Sequence, residues 1–394
     1  MNLVVFSHLR WDFVFQRPQH LLTRLARHYP VLFIEEPVHD AGEPRLEEIA
    51  AAPNVRVLRP HTPVAAHGFH DDQLAFLKPM IDGYLESHAV DDYAVWFYTP
   101  MALPLMADLA PAAVVYDCMD ELSAFRGAPR QMLQREASLL RRADLVLTGG
   151  PSLYEAKRTL NPNVLCLPSA VDATHFSAEN AASKVELVKR AAELQAQIAR
   201  PRLGYYGVID ERLDLDLVAD VADADPSWQV VMVGPVVKVD PAELPKRPNI
   251  HWLGQQSYDL LPQLVAGWDV CLMPFALNEA TRHISPTKTL EYMAAGRPVV
   301  STGVHDVIAL YGDVVRIGLD RKSFIHGCAE ALAETPAMAQ ARVERMTARV
   351  ARYSWNTTAQ NIRQALETAA RTTRAQRVAT DQGLAAIAAG HRAA

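Results

Sequence analysis

The feature that most constrains this chain is a rhythm: short, continuously apolar runs rich in Val, Leu and Ile, separated by segments of helical periodicity. In the first half the runs fall at Leu3–Phe6, Val31–Ile34, Val55–Leu58, Ala94–Tyr98, Ala113–Tyr116, Leu145–Thr148 and Val164–Leu167. In the second half they fall at Leu203–Tyr206, Gln229–Val233, Ile250–Leu253, Val270–Met273, Pro298–Ser301 and Val314–Ile317. Most do not alternate apolar with polar residues, which is the pattern of strands covered on both faces. Between them, residues such as Leu21, Leu22, Leu25 and Tyr29 repeat at helical spacing. Alternation of this kind predicts parallel sheets wound by right-handed crossovers. Thirteen strands are too many for one sheet of common size, so the 394 residues divide into two doubly wound α/β domains.

The expected boundaries are 1–178 for the first domain, 179–200 for a linker, 201–354 for the second domain and 355–394 for a terminal segment. The linker contains a helix, holds no strand candidate and is rich in Ala, Lys, Glu and Gln before Pro201 opens a fresh strand. From Arg371 on the chain is Ala/Thr/Arg-rich with weak periodicity, so loose docking is expected there. Two similar domains suggest a ligand held in the cleft between them.

Composition excludes several classes. Lys and Arg number 39 against 45 Asp and Glu, a net charge of −6, whereas a general nucleic-acid binder carries a basic excess. Cys118, Cys166, Cys271 and Cys328 stand far apart with no CxxC pair, which fits a reducing compartment rather than a disulfide scaffold or zinc site. The apolar run in MNLVVFSHLRWD is too short for a signal-peptide core, and no stretch approaches the roughly 18–20 apolar residues of a membrane span. A soluble, cytoplasmic protein is expected. No GxGxxG follows a strand, and P-loop, HExxH and GxSxG motifs are missing from the sequence.

The most informative segment is WDVCLMPFALNEATRHISPTKTLEYMAAGRPVVST, residues 268–302. It reads as strand, loop, helix, strand, with Ser285 as N-cap, Pro286 as first helical residue, and Gly296 with Pro298 as the stop. The loop lies at the carboxyl end of a strand, where open α/β sheets bind ligands. Lys288 in the first turn opposes the helix dipole at a cost of about 0.3–1 kcal/mol. A bound anion would reverse that sign, each charged hydrogen bond contributing roughly 1.5–3 kcal/mol. Thr287, Lys288 and Glu291 share one helical face. A carboxylate one turn in from a phosphate site could accept hydrogen bonds from ribose hydroxyls; the plain alternative is a solvated Lys288–Glu291 pair.

SPTKTLEYMAAGRPVVST resembles the donor motif of retaining GT-B glycosyltransferases of the family-4 type. Further matches follow in the family's order: ADLVLTGGPSLYEAK, then CLPSAVDATHF with Pro168, Val171, Asp172 and Phe176, then RLGYYGVIDERLDLDLV, then NIHWLGQQSYDLLPQLVAGWDVCLMPF. SHLRWDFVFQRPQHL at the start resembles a branch acting on bacterial surface polysaccharides. The resemblance implies two Rossmann-like domains facing a cleft, with a terminal helix that crosses back to the first domain near Trp355. It implies transfer of a sugar from a nucleotide diphosphate-sugar, a UDP-sugar before a GDP-sugar, to a glycan or lipid-linked hydroxyl. Retention and independence of a metal ion follow from the same likeness. So does donor binding by Gly207, Arg212, Gly234, Ser285, Pro286, Thr287, Lys288 and Glu291, with the base near Leu253 and Gly254.

Two departures mark this chain. The family's first glutamate, eight positions before Glu291, is His283 here, so either His283 takes over a sugar contact or the sugar is held differently. The family's Gly-Arg pair is Gly207-Val208, which leaves Arg212 as the nearest cation, either for the phosphate or for Asp210 or Asp214.

Asp117 and Asp120 directly follow a strand at the cleft edge, and with His283 they are the catalytic candidates; helix capping is the plain alternative for the aspartates. A carboxylate there could stabilise positive charge at the anomeric carbon. His8, Arg10, Trp11 and Asp12 follow the first strand and are expected to face the acceptor, or else to form a capping loop over Trp11. Gln16, Arg17 and Gln19 open a helix at Pro18, on which His20, Arg24, Arg27 and His28 form a basic face, suited to anionic headgroups at the inner membrane surface or simply solvated. Asp214-Leu215-Asp216 imitates a metal-binding Asp-x-Asp but sits at a helix start, which explains its acidity. No metal site is expected. Other readings are a GT-B nucleotide-sugar epimerase and a non-catalytic nucleotide- or glycan-binding protein, the latter favoured only by the missing glutamate.

Overall fold

The computed structural model describes residues 1–40 and 42–392, with side chains described to residue 380. Each of the thirteen apolar runs is a strand, and together they form two sheets. The first holds β1 (Asn2–Ser7), β2 (Val31–Glu35), β3 (Val38–His39), β4 (Arg45–Ala52), β5 (Val55–Thr62), β6 (Tyr93–Phe97), β7 (Ala113–Cys118), β8 (Leu145–Thr148) and β9 (Val164–Cys166). Its order is β3-β5-β2-β1-β6-β7-β8-β9, parallel throughout except for β4, which pairs antiparallel with β5. The second holds β10 (Arg202–Tyr206), β11 (Gln229–Val233), β12 (Ile250–Trp252), β13 (Val270–Met273), β14 (Val299–Thr302) and β15 (Arg316–Gly318), in the order β12-β11-β10-β13-β14-β15, all parallel.

The apolar runs are continuous because both sheet faces are covered. In β1, Val4 and Phe6 join one core cluster while Leu3 and Val5 join another on the opposite face. Strand β4, RLEEIAAA, lacks such a run because it is an outer strand with exposed charged side chains. In each sheet the winding reverses beside the first strand, between β1 and β6 and between β10 and β13. A crevice opens beyond the carboxyl ends of strands at such a switch point. The loops after Ser7 and Tyr206 therefore meet across the cleft between the domains.

The segment 179–200 is more than a linker. Its helices Ala178–Ser183 and Val185–Gln195 bury Ala181, Ala191 and Gln195 against the second domain, and the Gln263 amide donates to the Ala181 carbonyl at 3.1 Å. The terminal helix, Trp355–Arg392, crosses back and buries Trp355, Ile362 and Leu366 in the first domain's core. Docking continues past Arg371: the Thr373 hydroxyl donates to Asp144 at 3.0 Å and Arg377 to the Pro111 carbonyl at 2.6 Å. The last part of that expected loose tail, residues 381–394, lies outside the described side chains. Across the cleft the Ser169 hydroxyl donates to the Ser285 carbonyl at 2.8 Å, and the Ser152 amide to Asp306 at 3.1 Å. No helix among the described residues is long and apolar enough to cross a membrane.

Candidate donor site

The floor of the cleft is made of backbone. Gly207, following β10, has φ +139° and Gly234, following β11, has φ +147°. A Cβ on Gly234 would sit 1.8 Å from the Gly207 carbonyl oxygen, and one on Gly207 2.1 Å from the Lys288 side chain. Only glycine fits either place.

Helix Thr287–Ala294 begins one residue later than the sequence suggested. Pro286, extended at ψ 122°, is the cap residue, and Ser285 lies outside the helix with its hydroxyl buried and unpaired. The hydroxyl of Ser285 therefore does not cap, because its residue turns to meet Ser169. Thr287 and Lys288 occupy the first turn, whose amide N–H groups lack helical partners.

The Lys288 ammonium lies 5.7 Å from the centre of the Tyr205 ring. Burial brings its pKa down to about 8, and the neighbouring Arg212 charge adds to this. One turn on, Glu291 is 5% exposed and accepts a hydrogen bond from the Tyr206 hydroxyl. Burial raises its pKa to about 7, against the pull of Tyr206 and Lys288. Arg212 pairs with Asp210, at 2.9 and 2.7 Å, and lines the cleft, 5.6 Å over Phe125.

These residues line a cavity of about 590 Å³, whose opposite wall is the first-domain loop Trp11–Gln16. Leu253 and Gly254 are not on its surface. Their backbones are tied into the sheet, Leu253 N–H to Met232 and the Gly254 carbonyl to Gly234, and the exposed wall there is Gln255–Tyr258. A deeper chamber of about 110 Å³ adjoins the cavity and is lined by Arg17, Asp120, Ser169 and Tyr205, with Ser285 and Pro286 at the domain boundary.

The catalytic candidates separate. Asp120 faces the chamber, and burial raises its pKa to about 6 although Arg212 works against the rise. Asp117 does not reach either space: it is fully buried, and Arg17 binds both its oxygens at 3.0 and 3.1 Å. Its task is to hold Arg17, which also donates to the Leu167 carbonyl at 3.0 Å. Arg17 is a residue the sequence reading took only for a helix opener, and a charge at a helix start carries no sign of a partner 100 positions away. His283 is half-buried, lines neither space, and feels Glu121 and Lys157 of the first domain; burial lowers its pKa.

Of the four acceptor-side candidates, Trp11 and Asp12 line the large cavity, opposite Lys288 and Glu291. His8 and Arg10 line neither space. Burial lowers the His8 pKa to about 4, and Arg10 is spent on Glu35 at 2.9 Å and the Glu36 carbonyl at 2.6 Å. Asp214 caps its helix through the Leu217 amide at 2.8 Å, and Asp216 faces Arg321. The expected basic face of the first helix does not form as a unit: the helix is Arg17–Leu25, His20 stacks on Trp355 at 4.7 Å and Arg24 donates to Asn356 at 2.7 Å, while Arg27 and His28 lie exposed in the turn beyond it.

Residues 200–335 match the family described as glycosyl transferases group 1. A putative teichuronic acid biosynthesis glycosyltransferase of Bacillus subtilis, TuaH, is 26% identical over 248 residues, 58% of this chain and 60% of that protein. The aligned part thus spans about three fifths of the curated relative. Sucrose-phosphate synthase from Thermosynechococcus elongatus superposes with a TM-score of 0.69 at 16% identity, over 93% of this chain and 98% of that one. The Anabaena protein HepE, in complex with UDP and glucose, gives 0.66 at 15% identity, over 93% and 100%. These likenesses show the GT-B fold: two Rossmann-like domains facing a cleft.

Proposed function

We propose that this chain transfers a sugar from a UDP-sugar to a hydroxyl of a glycan or lipid-linked acceptor in cell-surface polysaccharide synthesis, with retention and without a metal ion. The observation that carries the reading is the pairing of Lys288 and Glu291, one helical turn apart at the switch point of the second sheet, on the wall of a cavity large enough for a nucleotide-sugar. The group 1 match spans both residues, and HepE, of the same fold, binds UDP.

In this reading the diphosphate lies on the first turn of helix Thr287–Ala294, against Lys288, Arg212, Gly207 and Gly234, and Glu291 accepts from the ribose. The sugar enters the chamber beside Asp120. The bond between the anomeric carbon and the phosphate oxygen breaks, and its electron pair stays on the departing UDP, where Lys288 and the helix start meet the new charge. The acceptor oxygen forms the new bond and gives up its proton to solvent. The Asp120 carboxylate stabilises positive charge at the anomeric carbon in between. Exposed Arg27 offers charge for contact with an anionic membrane surface.

A thermal-shift comparison of UDP, GDP and their sugars, with and without chelator, tests the donor. At a hundred times the dissociation constant, UDP adds about 2.7 kcal/mol of stability. A shift with UDP that survives chelator is expected, and no shift with any nucleotide overturns the proposal.

A further inference from the structure

The loop Trp11–Gln16 combines a pinned backbone with exposed aromatic side chains. The Trp11 N–H donates to buried Glu35 at 2.8 Å, and the Gln19 amide donates to the carbonyls of Trp11 at 2.8 Å and Val14 at 3.1 Å. From the second domain, the Gln255 amide donates to the Phe13 carbonyl. Yet Phe13 is 40% exposed and Phe15 43% exposed, and both line the large cavity. The Phe15 ring stacks on Tyr258 across the cleft at 4.6 Å. Phe15 is thereby engaged, whereas the Phe13 ring, on a held loop, leaves a flat apolar face presented to whatever fills the cavity.

We propose that the Phe13 ring, with Gln255 opposite and the Phe15–Tyr258 stack closing the end, forms the slot for the nucleobase of the donor, so that the first domain supplies base recognition as well as the acceptor side. The inference rests on the function proposed above. Lys288 and Glu291 set a direction along the helix from diphosphate to ribose. The same cavity is lined by Gln255–Tyr258 on one side and by the Phe13–Phe15 loop on the other, and the two walls touch through the Phe15–Tyr258 stack and the Gln255–Phe13 hydrogen bond. Aromatic faces bounded by side-chain amides match a heterocyclic base, which stacks through its face and hydrogen-bonds through its edge. The acceptor enters from the Asp120 side, away from this loop. Because Phe13 and Phe15 belong to the first domain, base binding draws the domains together.

Phe13→Ala is the decisive variant, since the ring is exposed and its removal leaves the fold intact. Binding of UDP and of inorganic pyrophosphate is measured by calorimetry on the full chain. UDP affinity falls about tenfold while pyrophosphate affinity stays within about twofold, and Phe13→Trp restores UDP binding. Unchanged UDP affinity, an equal loss for both ligands, or a change confined to the acceptor KM overturns the slot. If the unaltered chain binds no UDP, the proposed function itself fails; UDP binding that ignores Phe13 refutes only this inference.

Discussion

Exchanging Lys288 for methionine should raise the stability of the free protein while abolishing its hold on UDP. The cleft walls bring the ammonium pKa from 10.5 down to about 8. A lowered pKa on a base means that the folded state binds the proton less tightly than the unfolded chain. The associated stability is present above the unfolded pKa and is lost as pH falls through the folded one. The difference of 2.5 pH units, at about 1.4 kcal/mol each, means that charged Lys288 costs the apo fold about 3 kcal/mol at pH 7. At pH 9, where the folded lysine is mostly neutral, the cost falls to about 2 kcal/mol by the same linkage. Methionine keeps the stem that lies along Tyr205 and removes the charge. Glu291 then loses an attractive neighbour, but its pKa is already about 7, so it simply takes up a proton. Urea unfolding of both proteins at pH 7 and pH 9 gives the numbers. The variant should be more stable by up to about 3 kcal/mol at pH 7, with a gap smaller by about 1 kcal/mol at pH 9, and UDP should no longer shift its unfolding. A variant less stable than the parent at pH 7, or one that still answers to UDP, shows that Lys288 is not a charge kept at a cost to the fold for an anion.

Other perturbations read separate parts of the site. UDP affinity of the unaltered chain should fall by up to about tenfold per pH unit above pH 8, because the diphosphate needs the lysine proton; calorimetry across pH 7–10 measures it. Gly207→Ala, whose Cβ meets the Lys288 stem at 2.1 Å on a backbone at φ +139°, should abolish detectable UDP binding while leaving far-UV circular dichroism unchanged. Asp120→Asn should cut kcat about a hundredfold or more with UDP affinity intact, as expected of a charge that acts on the transition state and not on the nucleotide. Arg17→Met leaves buried Asp117 without its cation and should destabilise the fold by about 3–5 kcal/mol, seen in urea unfolding.

The fold was legible because its strands are buried on both sides, so apolar continuity alone marked them. Where burial is one-sided the signal vanished: RLEEIAAA, the outer antiparallel strand β4, carries charge on its exposed positions and reads as loop. Helix Thr287–Ala294 stood out in the sequence for a different reason. Lys288 violates the local preference for acid at a helix start, and burial still disfavours its charge despite Glu291, Asp210 and Asp120 nearby. The cap was misplaced because Ser285 and Pro286 satisfy two positional rules at once, and the choice between them was made by Ser169, from the other domain. Long-range partners defeated the reading elsewhere as well. Asp117 and Asp120 are indistinguishable as letters after a strand; Arg17 fills one and leaves the other facing the chamber.

Burial sets how the cleft is kept ready. Burial pushes Lys288 and Asp120 toward neutrality, and Glu291 as well, so the empty site holds charges that the fold itself disfavours. Asp210 neutralises Arg212 at short range and so keeps two adjacent cations from repelling each other apart. In the proposed complex, a diphosphate between Lys288 and Arg212 would stabilise the lysine's charge, and the energy regained would be available for drawing the first-domain loop onto the donor. Stability withheld from the empty fold thus becomes binding energy in the filled one, which is why Lys288 should be worth more to the complex than to the protein alone.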